Sequence, residues 1–172
     1  EIAIVCGADA VELNLGCPNV VTEDGGRKPI PSFDTKSFER ILVDINSHYL
    51  RDFPFWIKVS PNVSFDQIKE LVGVVSRFDF VKAVTTTNTL PNSYAVTIEG
   101  KPCITVGSAG MSGPALKPIA LGNAMQWRQT LPDYIAVIGV GGISHGVDIR
   151  DYANVGAVAF QITTALLQTG KL

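Results

Sequence analysis

Short β-rich runs alternate with longer amphipathic stretches along this chain, and this alternation limits the possible folds more than any other feature of the sequence. Runs rich in Val, Ile, Phe and Thr favour strands, and apolar residues that recur every three or four positions favour helices. Strands separated by helices usually pair in parallel. Five runs are predicted as strands: residues 10–15, 55–60, 80–88, 135–140 and 157–162.

Two of the intervening helices have clear start signals. Ser64 with Gln67 three residues later is typical of a capping box, and apolar residues follow on one helical face. Asp34 or Thr35 is predicted to cap an earlier helix. Both helices carry an apolar face, so we expect them to cover a sheet.

The second half of the chain contains two more predicted helices and an insertion. Pro114 and Pro118 suit the first turn of a helix, and a shorter helix is predicted over residues 147–153. Residues 94–106 are predicted to form a β-hairpin within a strand-to-helix loop, because two alternating runs flank a Glu-Gly-Lys-Pro turn. The connection over residues 18–33 is also long, which is typical of a functional loop.

Composition and charge narrow the class of protein. The chain has 14 basic and 16 acidic residues and a formal net charge of −2, which argues against a nucleic-acid partner. No apolar run approaches the roughly 20 residues of a membrane span, and the first residues do not resemble a secretory signal. We therefore predict a cytoplasmic protein with no membrane partner. The three cysteines and two histidines show no zinc spacing, so we predict no metal site.

Two architectures combine parallel strands with connecting helices, an open doubly wound sheet and a closed (β/α)₈ barrel. A complete barrel takes about 250 residues, whereas this chain has 172. We expect an α/β fold of the (β/α)₈ TIM barrel type, with the chain covering approximately strands 4 to 8 and the N-terminal strands absent. We also expect the 172 residues alone to be inactive.

Polar residues occur near the predicted ends of consecutive strands. Alternation along each strand separates the apolar residues from Asn14 in the first strand and from Lys58 in the second. In the third strand, Asn88 has the same parity as Val84 and Thr86. We expect Asn14, Lys58 and Asn88 to point into the barrel lumen near the carboxyl ends of the strands, where barrel enzymes place their active sites.

Glycines and threonines follow the last two predicted strands. Residues 139–142 read Gly-Val-Gly-Gly, and Thr163 and Thr164 follow the final strand. Free backbone N–H groups at such positions bind phosphate, and a phosphate site after strands 7 and 8 recurs in barrels. Counting these strands as seventh and eighth makes residues 10–15 the fourth strand. The alternative to a phosphate site is that the glycines at 139–142 only permit a tight turn.

Lys58 is the most informative single residue, because an ammonium group within a sheet is costly unless it is paired. A structural ion pair with Glu12 is one explanation, and a ligand-binding role is the other. A desolvated lysine beside a phosphate site is also what a Schiff-base aldolase needs to form an imine with a phosphorylated carbonyl substrate. The aldolase class is therefore an alternative that these residues do not exclude.

Five motifs together resemble the dihydroorotate dehydrogenase family. They occur in the family's order and span nearly the whole chain: NLGCPN at 14–19, IKV at 57–59, TNT at 87–89, MSGPALKP at 111–118 and GVGGI at 139–143. The resemblance implies an FMN-binding barrel that oxidises dihydroorotate to orotate in pyrimidine biosynthesis. It makes residues 1–172 the C-terminal part of a single barrel domain of this kind.

The resemblance also implies roles for individual residues. Cys17 is implied as the catalytic base on a mobile loop, as in the soluble class of the family. The implied substrate-binding residues are Asn14, Asn19, Asn88 and Thr89. The implied cofactor-binding residues are Asn14, Lys58, Thr87, Gly113, Gly141, Gly142, Thr163 and Thr164. The implied partners are dihydroorotate or orotate, and either a second copy in a homodimer or an electron-transfer subunit.

The sequence departs from the family pattern at several points. Gly16 stands where serine is usual and is expected to loosen the entrance of the loop. Thr163 stands where glycine is common, and residues 22–27 have no counterpart that we recognise. The related dihydropyrimidine dehydrogenases, which reduce uracil or thymine, are the closest alternative. They typically have histidine after Cys-Pro, so Asn19 favours dihydroorotate.

Overall fold

The computed structural model describes residues 2–48, 53–105 and 107–170. Within these ranges the strands are β1 (Val11–Asn14), β2 (Phe55–Val59), β3 (Val81–Thr86), β4 (Leu90–Ser93), β5 (Ala109–Met111), β6 (Ala136–Val140) and β7 (Ala159–Gln161). The helices are α1 (Ile2–Val5), α2 (Thr35–His48), α3 (Phe65–Val75), α4 (Lys117–Thr130), α5 (Gly146–Asn154) and α6 (Thr164–Thr169).

Five strands form one parallel sheet in the order β1-β2-β3-β6-β7. Each strand lies within one of the five runs predicted from the sequence, so that prediction is confirmed. The register pairs Asn14 with Lys58 and Lys58 with Thr85. Paired residues of parallel strands lie on the same face, so these three side chains share one face of the sheet.

The opposite face of the sheet carries the core. Ile57, Val59 and Val84 are fully buried there, together with Trp127 of α4 and Tyr152 of α5. They belong to a single apolar cluster that includes residues from α2 and α3. Burial of apolar side chains is the main stabilising term in folding. The helices therefore cover one face only, and polar groups are collected on the other.

The predicted helix starts are confirmed. The Ser64 hydroxyl accepts a hydrogen bond from the Gln67 N–H at 3.4 Å, and the Asp34 carboxylate accepts from the N–H groups of Lys36 and Ser37 at 3.2 and 3.3 Å. The Gln67 side chain donates to the Phe33 carbonyl at 3.0 Å instead of turning back to the cap. The capping residue of α3 is thus used as predicted, and its glutamine ties the helix to the preceding loop.

The third and fourth predicted helices also form. Pro114 opens a 3₁₀ turn over Pro114–Leu116, and Pro118 lies in the first turn of α4. Helix α5 begins at Gly146 and covers the predicted residues 147–153. The longest helices, α2 and α4, have 14 residues each. No helix in the described ranges is long and apolar enough to cross a membrane.

The insertion between β3 and α4 is antiparallel, as predicted, but its strands lie outside residues 94–106. β4 pairs with β5, and a further bridge joins Val96 to Pro102 around the Glu99-Gly100 turn. The predicted range also includes Val106, which lies outside the described residues. The hairpin begins at once after β3, so it extends from the carboxyl end of the sheet.

Candidate functional site

A cavity of about 230 Å³, open to solvent, lies at the carboxyl ends of β2, β3, β6 and β7. Its walls include the apolar side chains of Leu116, Ile143 and Leu167. Nine residues predicted as site residues line it: Lys58, Thr87, Asn88, Thr89, Gly113, Gly141, Gly142, Thr163 and Thr164. Asn14, Cys17 and Asn19 do not line it. The cavity joins an apolar slot to polar groups, which is the usual composition of a small-molecule site.

Lys58 lies at the floor of this cavity, and the structure gives it protein partners. Its Nζ donates to Gln161 Oε1 at 2.8 Å and lies 3.5 Å from Glu12 Oε1. The Lys58 side chain is one-fifth exposed. The ion pair that the sequence offered as an alternative is therefore present, and the same ammonium group also borders the cavity.

Glu12 connects the side chains that surround Lys58. Its Oε2 accepts hydrogen bonds from Thr85 Oγ1 at 2.6 Å and from Gln161 Nε2 at 2.5 Å. Thr85 and Gln161 were not predicted as site residues from the sequence. The only available signal for Gln161 was a long polar side chain within the apolar run 157–162. Four strands thus contribute one hydrogen-bonded polar cluster (Glu12, Lys58, Thr85 and Gln161) on the concave face.

Val84 and Thr86 share one face of β3 as predicted, but the prediction that Asn88 shares it is wrong. Val84 pairs with Ile57, and Thr86 pairs with Val59, so both face the apolar core. Thr85 is the residue of β3 that faces the lumen. The strand ends at Thr86, and the period-two alternation does not continue beyond it. Asn88 therefore reaches the lumen from the loop and not from the strand.

Asn14 and Asn88 meet above the polar cluster. Asn88 Nδ2 donates to Asn14 Oδ1 at 2.8 Å, and Asn88 Oδ1 accepts from the Thr89 N–H at 2.8 Å. Asn14 Oδ1 also accepts from the Gly16 N–H at 3.1 Å. Among the described residues, none accepts a hydrogen bond from Asn14 Nδ2. One amide donor is therefore free beside Asn88, which lines the cavity.

Cys17 and Asn19 lie in the loop that leaves β1, beside the cavity. Cys17 is a free thiol of intermediate exposure, and Asn19 is exposed. Pro18 is buried between them and approaches Gly110 of β5, where a Cβ atom would lie 3.0 Å from Pro18 Cγ. A Cβ at Gly110 would also collide with Thr89, which lines the cavity. The loop is thus in contact with the rim of the site.

The expectation that Gly16 loosens this loop is wrong. A Cβ at Gly16 would lie 2.5 Å from the Ser60 N atom and 2.6 Å from the Val59 carbonyl carbon. The Gly16 carbonyl accepts a hydrogen bond from Ser60 Oγ at 2.8 Å. Gly16 is buried, and glycine here permits close contact between the two backbones. The entrance of the loop is therefore fixed to the end of β2.

Residues 22–27, which had no recognised counterpart, form a small turn. Val21 and Arg27 make an antiparallel bridge, and the Thr22 N–H donates to the Gly26 carbonyl at 2.8 Å. The Arg27 guanidinium donates to the Ser108 carbonyl and, at 3.2 Å, to Ser108 Oγ. This contact joins the loop after β1 to the hairpin after β3 on one side of the cavity.

The glycine-rich loop after β6 borders the other end of the cavity. Gly142 has a φ of +68°, and a Cβ there would lie 2.6 Å from Lys117 Cβ and 2.9 Å from the Gly113 carbonyl oxygen. No described residue accepts a hydrogen bond from the N–H groups of Gly142 and Ile143. Consecutive unpaired N–H groups in a tight turn attract anions. The loop has the composition of an anion site.

An ion pair supports this loop from behind. Lys117 Nζ lies 2.5 Å from Asp148 Oδ1 and 2.6 Å from Asp151 Oδ2. The hydrogen bond from Lys117, followed by those from the backbone of Ser144 and His145, lowers the pKa of Asp148 to about 2. The same contacts raise the pKa of Lys117 above its ordinary value of 10.5. The pair is therefore fully charged at neutral pH.

The fold and the cavity define a class of protein. A parallel α/β sheet carries its polar residues, an apolar slot and an anion-type loop at the carboxyl ends of its strands, as α/β barrel enzymes do.

Comparison with known proteins identifies the family. The sequence profile described as "Dihydroorotate dehydrogenase" matches residues 3–172, and the chain belongs to the dihydroorotate dehydrogenase family. A catalytic subunit of dihydroorotate dehydrogenase B (NAD(+)) from Solidesulfovibrio magneticus is 35% identical over 159 residues, which are 92% of this chain and 49% of that protein. A putative dihydroorotate dehydrogenase A (fumarate) from Streptococcus uberis is 33% identical over 93% of this chain and 49% of that protein.

Solved structures agree in fold. A ligand-free DHODH from Eimeria tenella matches with a TM-score of 0.72 at 18% identity, over 95% of this chain and 47% of that chain. The prediction of an α/β chain covering strands 4 to 8 of a (β/α)₈ barrel is thereby confirmed. The chain spans about half the length of the curated relatives it matches.

Proposed function

We propose that the protein containing this chain oxidises dihydroorotate to orotate in pyrimidine biosynthesis, with FMN as its cofactor. Family membership supports the reaction. The observation that carries the proposal is the single cavity that brings together the Lys58 ammonium group, the amide of Asn88 and the glycine-rich loop at Gly142. An apolar slot with a cation at one end and an anion-type loop at the other suits a planar ring that bears a phosphate.

The residues present fit FMN. Backbone N–H groups of Gly141, Gly142 and Ile143 and the hydroxyls of Thr163 and Thr164 are suited to the phosphate. Gly113 and Thr87 line the apolar slot between the two ends. Threonine in place of the usual glycine at 163 adds a hydroxyl donor next to the phosphate position. When bound, FMN supplies the acceptor for a hydride, at its N5 atom.

Lys58 is proposed to stabilise the negative charge that develops on the cofactor as it is reduced. Preorganised charge of this kind is effective because it needs no rearrangement during the reaction. The bonds from Lys58 to Gln161 and Glu12 hold the ammonium group in place beforehand. Asn14 lies beside Lys58 in the register and is proposed to contact both cofactor and substrate.

Asn14, Asn19, Asn88 and Thr89 are proposed to bind the substrate. Amide side chains offer a donor and an acceptor each, which matches the amide and carboxylate groups of dihydroorotate. The free Nδ2 of Asn14 and the exposed amide of Asn19 are donors that the described residues leave unpaired. The bonded pair of Asn14 and Asn88, of which Asn88 lines the cavity, supports a planar polar ring as the substrate class.

Cys17 is proposed as the base that removes the proton from C5 of dihydroorotate. The hydrogen on C6 leaves with its electron pair, and a double bond forms between C5 and C6. The thiol lies in the loop after β1, whose Pro18 approaches Gly110, and Gly110 in turn lies against Thr89 at the rim of the cavity. Base catalysis of this type contributes about 10²- to 10⁴-fold to a rate.

The test uses the protein in its natural length. We expect a yellow protein whose flavin is released as FMN, and turnover with dihydroorotate but not with uracil or thymine. A colourless protein that cannot be reconstituted with FMN contradicts the proposal. Covalent trapping of a carbonyl substrate on Lys58 by borohydride would instead support the aldolase alternative.

The electron acceptor and the assembly state are part of the same proposal. Relatives carry the names of both an NAD(+) type with a catalytic subunit and a fumarate type. We propose either a homodimer or a complex with an electron-transfer subunit, located in the cytoplasm. Assays with fumarate, with NAD and with a quinone, combined with the measured mass of the assembly, distinguish the possible acceptors and assemblies.

A further inference from the structure

The loop over residues 141–145 is held at both ends by one face of α5. Tyr152 Oη donates to the Gly141 carbonyl at 2.8 Å. Asp148 Oδ2 accepts from the N–H groups of Ser144 and His145, each at 2.8 Å. Asp148 and Tyr152 are four residues apart, so they lie on the same side of the helix. A single helix face therefore fixes the first and the last peptide groups of the loop.

Both side chains are buried where they make these contacts. Tyr152 is fully buried with its ring against Gly139, and Asp148 is 7% exposed. Burial raises the pKa of the Tyr152 hydroxyl above its ordinary value, so it remains a donor. Buried hydrogen bonds of this kind have little competition from water. The two anchor points are therefore well defined.

Lys117 makes the carboxylate of Asp148 compatible with an anion nearby. An uncompensated negative charge behind the loop would repel a phosphate. Lys117 Nζ binds Asp148 Oδ1. A Cβ atom at Gly142 would collide with the Cβ atom of Lys117, so Lys117 lies directly behind the loop. The Asp148 carboxylate behind the loop is thus paired with Lys117, which also binds Asp151, and the N–H dipoles of the loop are what attract an anion.

The unpaired N–H groups of the loop lie at and next to the first anchor, because the Gly142 N–H shares a peptide group with the Gly141 carbonyl and Ile143 follows it. Gly142 and Ile143 line the cavity, and within the described ranges their N–H groups have no acceptor. We propose that Asp148 and Tyr152 are positioning residues, which hold these N–H groups in place for the phosphate of the flavin. This inference rests on the proposed function, and it adds residues that do not touch the cofactor.

The test compares FMN with riboflavin, which lacks the phosphate. Dissociation constants are measured by flavin fluorescence on the natural-length protein after removal of its flavin, alongside thermal unfolding midpoints. In Tyr152→Phe, which keeps the ring, we expect FMN binding to weaken about three- to tenfold, the value of one hydrogen bond. In Asp148→Ala we expect about tenfold or more. Riboflavin binding should change less than about twofold in both, since it makes no phosphate contact.

Two further variants serve as controls. Asp148→Asn keeps an oxygen acceptor for the N–H groups of Ser144 and His145, so it should recover part of the FMN affinity lost in Asp148→Ala. Asp151→Asn removes the other carboxylate bound by Lys117 but touches no loop peptide, and we expect its FMN affinity to match the wild type. A purely structural role would weaken FMN and riboflavin equally.

The outcomes separate this inference from the proposed function. If the wild type prefers FMN and both Tyr152→Phe and Asp148→Ala keep that preference, the positioning role is overturned while the proposed function stands. If the wild type does not distinguish FMN from riboflavin, there is no phosphate site, and both are overturned. Selective loss of FMN binding in the two variants supports the positioning role.

Discussion

Lys58 and Glu12 lie side by side on neighbouring strands, with Nζ 3.5 Å from Oε1, and Gln161 bonds to both of them. The charge of Lys58 is thus largely buried and is paired by groups of the protein itself. A cation held in this way keeps its position at little cost when a negative charge develops beside it. The ion pair and the ligand-binding role are therefore complementary uses of the same lysine.

Replacement of Lys58 by methionine tests this role. Lys58→Met keeps most of the side-chain volume but removes the charge, and we expect dihydroorotate turnover to fall at least about 100-fold, the range found when one preorganised electrostatic contact is lost. Steady-state kinetics measure the change. Lys82→Met is the matched control, because Lys82 is exposed on the same sheet, in β3. Equal turnover in the two variants would contradict the assignment.

Replacement of Cys17 tests the proposed base. Cys17→Ala removes the thiol, and we expect kcat to fall about 10²- to 10⁴-fold, as is typical for loss of a general base, with little change in FMN content. Cys103→Ala is the control, since Cys103 is also a free cysteine and lies in the hairpin after β3. If the Cys17 variant retains wild-type kcat, another group removes the proton.

The ion pair behind the glycine-rich loop predicts a pH dependence of stability. The pKa of Asp148 is lowered from 3.8 to about 2, so its contribution to the free energy of unfolding is complete above pH 3.8 and is lost as the pH falls towards 2. The pKa of Lys117 is raised above 10.5, so its contribution is complete below that value and disappears at higher pH.

Urea unfolding at different pH values measures this contribution. The wild type should exceed Asp148→Asn in stability at pH 6, and the difference should shrink between about pH 4 and pH 2, where the carboxylate is protonated. Asp66→Asn provides the comparison, because Asp66 pairs with Lys69 on the surface. A difference between wild type and Asp148→Asn that stays constant over this range would contradict the charged pair.

Two glycines are predicted to respond to alanine in opposite directions. Gly16→Ala puts a methyl group 2.5 Å from the Ser60 N atom, so the loop that carries Cys17 must move, and we expect lower stability and weaker substrate binding. Gly73→Ala is in the interior of α3 with no atom within 4 Å, and it should stabilise the protein by about 0.5–1 kcal/mol. Thermal unfolding and KM measurements check both. The reverse order of stabilities would contradict the packing at Gly16.

Local signals explain why the elements could be predicted from the sequence. Ser64 and Asp34 cap helices by bonds to N–H groups two or three residues away, and such patterns are readable in the sequence. Lys58 lies at the carboxyl end of β2, and Gly142 follows the carboxyl end of β6. Because parallel strands run in the same direction, the sequence predicts both residues at the same edge of the sheet. The cavity that contains both follows from this rule.

Contacts between distant residues could not be predicted in the same way. Gln161 and Glu12 are 149 residues apart, and they meet only because the sheet curves. The alternation within β3 was wrongly extended to Asn88, because no signal in the sequence marks Thr86 as the last residue of the strand. Gly16 was misjudged because the approach of the Ser60 backbone depends on packing between two strand ends.

The bond between Gln161 and Glu12 has a mechanical consequence. β1 and β7 are the two outer strands of the described sheet, so this side-chain bridge ties its margins together across the hollow side. This hydrogen bond limits how far the sheet can flatten. It therefore fixes the distance between the outer edges of β1 and β7, where further strands could pair.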